Sequence, residues 1–464
     1  MARRRAVGVV AAVLLLGGYG VADAADVVPG VLTTGPAPAA PVPYPDVELP
    51  GDLLAPTVAG PDADAPVPTA AALESLADDL AADSRMAGTF SMVVADVVTG
   101  ATLLDRDGGT ARLPASSLKI LTAAAALDAL GPERTLETVV VPDGAGRVVL
   151  VGGGDVLLAE GEGDPAAVEG RAGLADLAAQ TAAALADQGV SAVEVGLDDT
   201  LFTGPPYAAD VSGIDLNFVM PVQPVAVLAG RADTGFVADP ALEAARAFAG
   251  ALTSAGVEVT GVRRTPAPAG AEALASVSSA PVAEVVRDML KISDNSLAEV
   301  LARLVAVERG APADFAGATT SVLAQLAELG VDVTDVDLTD ASGLSARNRV
   351  APSVIVDVLL TAMDPDATSL HGLVPGLPVG GLDGTLADRL TDDGAGRVRA
   401  KTGTLIEAIS LSGTVVTEDG RLLAFALLTD GIPAGAALQS RLATDAWAER
   451  LAACGCDGAD TLGP

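Results

Sequence analysis

The chain has 464 residues, half of them hydrophobic, with 61 acidic against 27 basic side chains, a net charge of −34 and a pI near 4.1. That length exceeds one ordinary domain of roughly 100–200 residues, so two or three units sharing a sizeable core are expected. The acidity is dispersed rather than gathered into one block, which describes a solvated surface that repels polyanions and excludes nucleic acid as a partner.

In chain order, Arg3, Arg4 and Arg5 precede a short apolar run that ends at Ala22-Asp23-Ala24, the pattern of a signal peptide over 1–24. The run is short for a spanning helix of ~20 residues and no later segment reads as transmembrane, so an exported chain without a stable membrane span is expected, an uncleaved anchor being the competing reading. Residues 25–68 are rich in Pro and Ala without an apolar period and read as a linker. Helical spacing over AAALESLADDLAAD and a hairpin turning at Thr99-Gly100 open the first folded unit. The segment SSLKILTAAAALDALGP, apolar nearly all round and stopped by Gly131-Pro132, predicts a buried central helix.

Residues 135–280 switch to Gly- and Val-rich strands mixed with Ala-rich helices, which predicts an inserted α/β or mostly β unit. Helices resume near Val282, strands return around RVRAKTGT with a turn at Asp419-Gly420, and a final helix spans about 436–453. Cys454 and Cys456 form a local bridge or a weak ligand pair at most, and no metal or cofactor site is expected.

Three short motifs stand in order: Ser116-Ser117-Leu118-Lys119, Ser293-Asp294-Asn295, and Lys401-Thr402-Gly403 with Thr404. Each alone is a weak signal; together, at a helix start, at a junction before a helix and on a strand, they are specific. Ser116 and Lys119 lie three residues apart on one helical face, where the amine reaches the hydroxyl. Of the 27 basic residues only Lys119, Lys291 and Lys401 are lysines, and two of these fall in the motifs. A sequence that uses Arg wherever charge suffices keeps lysine where an amine must lose a proton or fit a compact site. The single histidine, His371, has no GxSxG elbow beside it, which leaves Lys119 as the base for a serine nucleophile and gives Lys291 and His371 structural readings. An exposed lysine would be protonated at neutral pH, so burial or a nearby cation such as Lys401 must depress its pKa.

This motif set is shared by class A β-lactamases and penicillin-binding proteins. The long stretch between Ser116 and Ser293, together with PASSLKILTAAAAL, VGGGD, DASGLSARNRVAP and LPVGGLDGTL, resembles the class C low-molecular-mass penicillin-binding proteins, the D-alanyl-D-alanine carboxypeptidase/endopeptidase family. The resemblance implies an α+β DD-peptidase/β-lactamase-like catalytic domain, an antiparallel sheet with helices, from 69–134 and 281–464, interrupted by a large inserted domain at 135–280. It implies Ser116, Lys119 and Ser293 as catalytic, Asn295, Lys401, Thr402, Gly403 and Thr404 as substrate-binding, and peptidoglycan stem peptides and β-lactam antibiotics as partners. Asp340, Ser342 and Gly343 resemble the family's cleft-bordering loop, but the sequence has DASG where DGSG is expected, and they stay outside the catalytic set. A β-lactamase or esterase on the same scaffold and a non-catalytic penicillin-binding sensor are the alternative readings.

Overall fold

The computed structural model of the chain describes residues 63–144 and 146–455. The signal segment, most of the linker and Cys456 lie outside them. The end of the segment read as linker is fastened down: Ala65 is buried, and Arg421 donates to the carbonyls of Ala63 and Ala65.

Helix α1 (Ala70–Ala82), N-capped by Thr69, leads into the hairpin β1 (Thr89–Asp96) and β2 (Thr102–Arg106). Helix α2 (Leu118–Leu130) follows and stops at Gly131, whose positive φ of 86° glycine adopts without steric cost. The chain then builds β3 (Glu137–Pro142), β4 (Arg147–Val151), α3 (Leu174–Asp187), β5 (Ala192–Asp198), α4 (Pro240–Ser254), β6 (Glu258–Arg264) and β7 (Ala275–Ser278). It returns through α5 (Val282–Ile292), α6 (Asn295–Glu308), α7 (Phe315–Glu328), α8 (Pro352–Ala362) and the short α9 (Leu373–Gly376) to β8 (Val398–Thr404), β9 (Ile409–Val416), β10 (Leu422–Asp430) and α10 (Ala437–Ala452).

Two sheets result. The first runs β2-β1-β10-β9-β8 and is antiparallel throughout, joining the two ends of the chain by the pairing of β1 with β10. Side-chain alternation divides its faces. Met92, Val94, Phe425 and Leu427 pack under α1 and α10, where the Phe425 and Trp447 rings meet edge to face at 5.6 Å. Val93, Ala95, Ala424, Ala426 and Leu428 point to the other side, into the core formed with α2 and α5–α8. Helix α2 packs against α5, α6, α7 and α8, which is why its Ala- and Leu-rich sequence has no polar face.

The second sheet, β6-β5-β4-β3-β7, lies wholly between Glu137 and Ser278 and has its own core, with α3 and α4 laid over Val148, Leu150, Val195 and Leu197. It is mixed: β4, β5 and β6 run parallel, while β3 pairs antiparallel with β4 and β7. No helix among the described residues is long and apolar enough to cross a membrane.

Candidate active site

Ser116 sits in a 3₁₀ turn, Ala115–Ser117, that feeds directly into α2. Ala115 holds a left-handed φ of 44°, uncommon for a residue with a Cβ. Two glycines make room for this turn. A Cβ on Gly343 would lie 1.8 Å from the Ala115 carbonyl oxygen, and one on Gly403 would lie 2.1 Å from Ser410 Oγ and 2.9 Å from the Ser116 nitrogen. From below, Ser117 Oγ donates to Ser410 Oγ at 2.9 Å, and Ser410 Oγ donates to the Pro114 carbonyl at 2.7 Å, which ties the turn to β9.

Lys119, one helical turn on and fully buried, directs its Nζ to Ser116 Oγ at 3.1 Å, to Asn295 Oδ1 at 2.6 Å and to the Ser342 carbonyl at 2.6 Å. Its three nearest acceptors are neutral. Burial lowers its pKa from the ordinary 10.5 to about 8, against the pull of Asp340, Glu299 and Asp294 towards the cation. Ser293 terminates α5 in a left-handed conformation, φ 61°, and Asp294 caps α6 by accepting from the Leu297 N–H at 2.9 Å. That reversal between two helices turns Ser293 and Asn295 inward. Ser293 Oγ accepts from Lys401 Nζ at 2.9 Å, and Lys401 also donates to the Thr402 carbonyl at 2.8 Å. Lys401 is as buried as Lys119, and burial, then the neighbouring Lys119 and Arg389, hold its pKa well below the lysine range.

Strand β8 is the edge of its sheet. The backbone of Val398 and Ala400 faces outward to the 378–380 segment, by Gly380 N–H to the Val398 carbonyl and Ala400 N–H to the Pro378 carbonyl. The period of two then turns the backbone of Thr402 and Thr404 outward as well, beside Ser116. Thr402 Oγ1 donates to Thr385 Oγ1 at 2.8 Å, while Thr404 is exposed at the strand end.

The structure therefore brings Ser116, Lys119, Ser293, Asn295, Lys401 and Gly403 into one cluster, with Thr402 and Thr404 along its rim. Lys291 stays apart: its Nζ pairs with Asp383 and the Leu377 carbonyl and braces the segment ahead of β8. His371 is exposed on a turn after α8. The sequence reading missed the Phe218 carbonyl, which holds the Asn295 amide, and the buried Glu299 carboxyl; it placed Asp340 and Ser342 on a cleft-bordering loop but not the Ser342 carbonyl on Lys119 or the buried Asp340 carboxyl behind it. DASG was visible in the sequence; nothing in it marks Phe218 or a glutamate inside a helix.

A serine hydroxyl beside a buried amine, next to an edge strand whose last residues are uncovered, is an arrangement capable of acyl transfer of the serine-lysine kind. The model of the D-Ala-D-Ala carboxypeptidase 3 (S13) family matches residues 72–238 and 233–451. The chain is 37% identical to carboxypeptidase DacB of Mycolicibacterium smegmatis over 97% of this chain and 95% of that protein. It is 32% identical to the D-alanyl-D-alanine carboxypeptidase of Actinomadura sp. strain R39, covering 80% and 83% respectively. Its fold is that of penicillin binding protein 4 (dacB) from Haemophilus influenzae, at 22% identity and a TM-score of 0.66 over 81% of this chain and 99% of that one. A second structure of the Haemophilus protein, complexed with a β-lactam, matches at 22% identity and a TM-score of 0.61, covering 82% and 98%. The chain belongs to the D-Ala-D-Ala carboxypeptidase 3 (S13) family and is a serine-type peptidase.

Proposed function

We propose that this chain is an exported serine DD-peptidase that hydrolyses the terminal D-Ala-D-Ala bond of peptidoglycan stem peptides through an acyl-enzyme on Ser116, and that β-lactams acylate the same serine. The observation that carries the reading is the 3.1 Å contact of Ser116 Oγ with Lys119 Nζ, an amine whose burial brings its pKa to about 8. Near neutral pH a useful fraction of Lys119 is unprotonated, as a general base requires.

The steps follow. Lys119 takes the hydroxyl proton as Ser116 Oγ bonds to the scissile carbonyl carbon. The N–H groups of Ser116 and Thr404 receive the oxyanion; Gly403, lying against the Ser116 nitrogen, lets the two come together. The C–N bond breaks as the departing D-alanine amine takes a proton from Ser293, hydrogen-bonded to Lys401, while the proton held by Lys119 passes on to Ser293, which returns Lys119 to the neutral amine. Water then gives a proton to the neutral Lys119 and adds to the acyl carbon, and the bond to Ser116 Oγ breaks as Lys119 returns that proton to the serine. Asn295 holds Lys119 through Oδ1 and meets the acyl-side amide; Lys401, Thr402 and Thr404 receive the substrate carboxylate, and the outward backbone of β8 pairs with the peptide as an added strand. We read residues 69–134 and 281–464 as the catalytic domain and 135–280 as the insertion; every strand of the second sheet falling inside that insertion supports this division.

The test is D-alanine release from a synthetic stem peptide by wild type and Ser116→Ala, with intact mass after penicillin. Release and an adduct in the wild type alone support the reading. An adduct without release points to a sensor, and equal activity in both proteins sinks Ser116 as nucleophile.

A further inference from the structure

Two consecutive peptide units behind Lys119 are each held from both sides. In the Ala341–Ser342 unit, the Ala341 carbonyl accepts from Thr122 Oγ1 at 2.6 Å, and the Ser342 N–H donates to Glu299 Oε1 at 2.9 Å. In the Ser342–Gly343 unit, the Ser342 carbonyl accepts from Lys119 Nζ at 2.6 Å, and the Gly343 N–H donates to Asp340 Oδ1 at 2.9 Å. Lys119 and Thr122 are three apart on α2, so one helix face supplies both donors to the carbonyls while two buried carboxylates accept from both N–H groups. Asp340 also accepts from Ser345 N–H at 2.6 Å and Asn348 Nδ2 at 2.7 Å; burial pushes its carboxyl up, while these donors and Lys119 pull it back towards the anion.

Burying two carboxylates beside one lysine is costly unless they are engaged as these are. A carboxyl oxygen accepting from an amide N–H polarises the whole unit and strengthens the acceptor at its carbonyl end, most when the carboxyl is ionised. We propose that Asp340 and Glu299 are positioning residues for the nucleophile's base: acting through these two peptide units, they fix the Ser342 carbonyl and with it the direction of Lys119 Nζ beneath Ser116. The inference rests on Lys119 serving as the base. Neither carboxylate touches the reacting atoms.

A positioning role that is also electrostatic leaves a signature a loop support would not. The charged groups facing Lys119 are Asp340 from the loop, Glu299 and Asp294 from α6, and Lys401 from β8. Loss of the Asp340 charge favours the neutral amine. The acidic limb of the acylation profile then moves to lower pH, even as poorer alignment lowers the plateau. Burial, then the Asp340 charge, push Glu299 up to about 8, so it is largely protonated along that limb and its loss moves the limb less.

The experiment measures the second-order rate of Ser116 acylation by a fluorescent penicillin from pH 5 to 10. The proteins are wild type, Asp340→Asn, Glu299→Gln, Thr122→Val and Lys119→Arg, each with a thermal melt. The expected limb shift is about one pH unit downward for Asp340→Asn and about half a unit for Glu299→Gln, with plateaus lowered roughly 10-fold. Thr122→Val, which frees the Ala341 carbonyl without changing charge, lowers the plateau and leaves the limb in place. If the folded carboxylate variants behave like Thr122→Val, with an unmoved limb, the proposal is overturned. If Asp340→Asn does not fold, the limb of Glu299→Gln decides alone. A wild-type profile in Lys119→Arg would instead refute Lys119 as the base, a separate failure.

Discussion

Two places along the first sheet bury positive charge, the Arg421 site and the lysine site, and they handle it in opposite ways. In the row of residues at Asp96, Leu423, Val415 and Val398, Arg421 forms a bidentate pair with Asp96, both side chains almost fully enclosed. Towards the other end, two lysines are buried on hydroxyls, carbonyls and one amide: Lys119 on α2 beneath Ser116, and Lys401 midway along β8 opposite Ser412. At Asp96 burial alone would push the carboxyl up, but Arg421 and Thr99 hold it below the usual range, so the pair keeps a permanent charge on each partner. At the lysine site no carboxylate touches the amines, and burial drives their pKa values down, for Lys119 against the more distant pull of Asp340, Glu299 and Asp294. Guanidinium with carboxylate gives a fixed brace; amine with neutral acceptors gives a group that exchanges protons.

The largest effect that would break this comparison is on rate. Lys119→Arg keeps charge and length but replaces the titratable amine with a group that stays protonated; penicillin acylation of Ser116 should fall about 10³-fold, within the range for loss of a general base. A rate within 10-fold of wild type would mean that the position needs only charge. Gly403→Ala leaves both lysines in place but sets a methyl within 2.9 Å of the Ser116 nitrogen and 2.1 Å of Ser410 Oγ. It should cost roughly 100-fold in acylation through misplacement of the nucleophile, with a smaller change in thermal stability.

Arg421→Met tests the other end. Removing one partner leaves Asp96 buried with an uncompensated charge, so unfolding by urea should show a loss of about 3–5 kcal/mol, with acylation per folded molecule close to wild type. A matching loss of acylation would show that the two ends are not independent.

Both ends differ in how visible they are in the sequence. The lysine end was legible because its chemistry is written in short motifs: SxxK at the start of an apolar helix, SDN between two helices, KTGT on a strand. The scarcity of lysine pointed to the same residues. Non-local partners were illegible. Asp96 and Arg421 meet only because β1 pairs with β10, and the Phe218 carbonyl reaches Asn295 from the segment that follows β5. Glu299 sits within α6 as any solvated helix glutamate would, and only packing against the 340–343 loop buries it. The mixed order of the second sheet was hidden for a similar reason: Gly- and Val-rich strands and Ala-rich helices were legible, but parallel addition of β5 and β6 depends on crossovers through α3 and α4.

Lys291 gives the smallest effect and the sharpest check on the rule. It is the one lysine outside the motifs, and its partner is a carboxylate: Nζ lies 2.6 Å from Asp383, whose side chain is half exposed. Burial would raise the Asp383 carboxyl, but Lys291 and the Val379 N–H keep it below the usual range. By the logic of the Arg421 end this lysine is a brace, and arginine should replace it. Lys291→Arg is expected to change urea stability by less than about 1 kcal/mol, as for a partly exposed pair, and to leave the acylation profile at its wild-type pH. If Lys291→Arg shifted that profile, lysine usage in this chain would mark the active site more widely than the Ser116 cluster, and the brace assigned to the 377–383 segment would have to be counted as part of the chemistry.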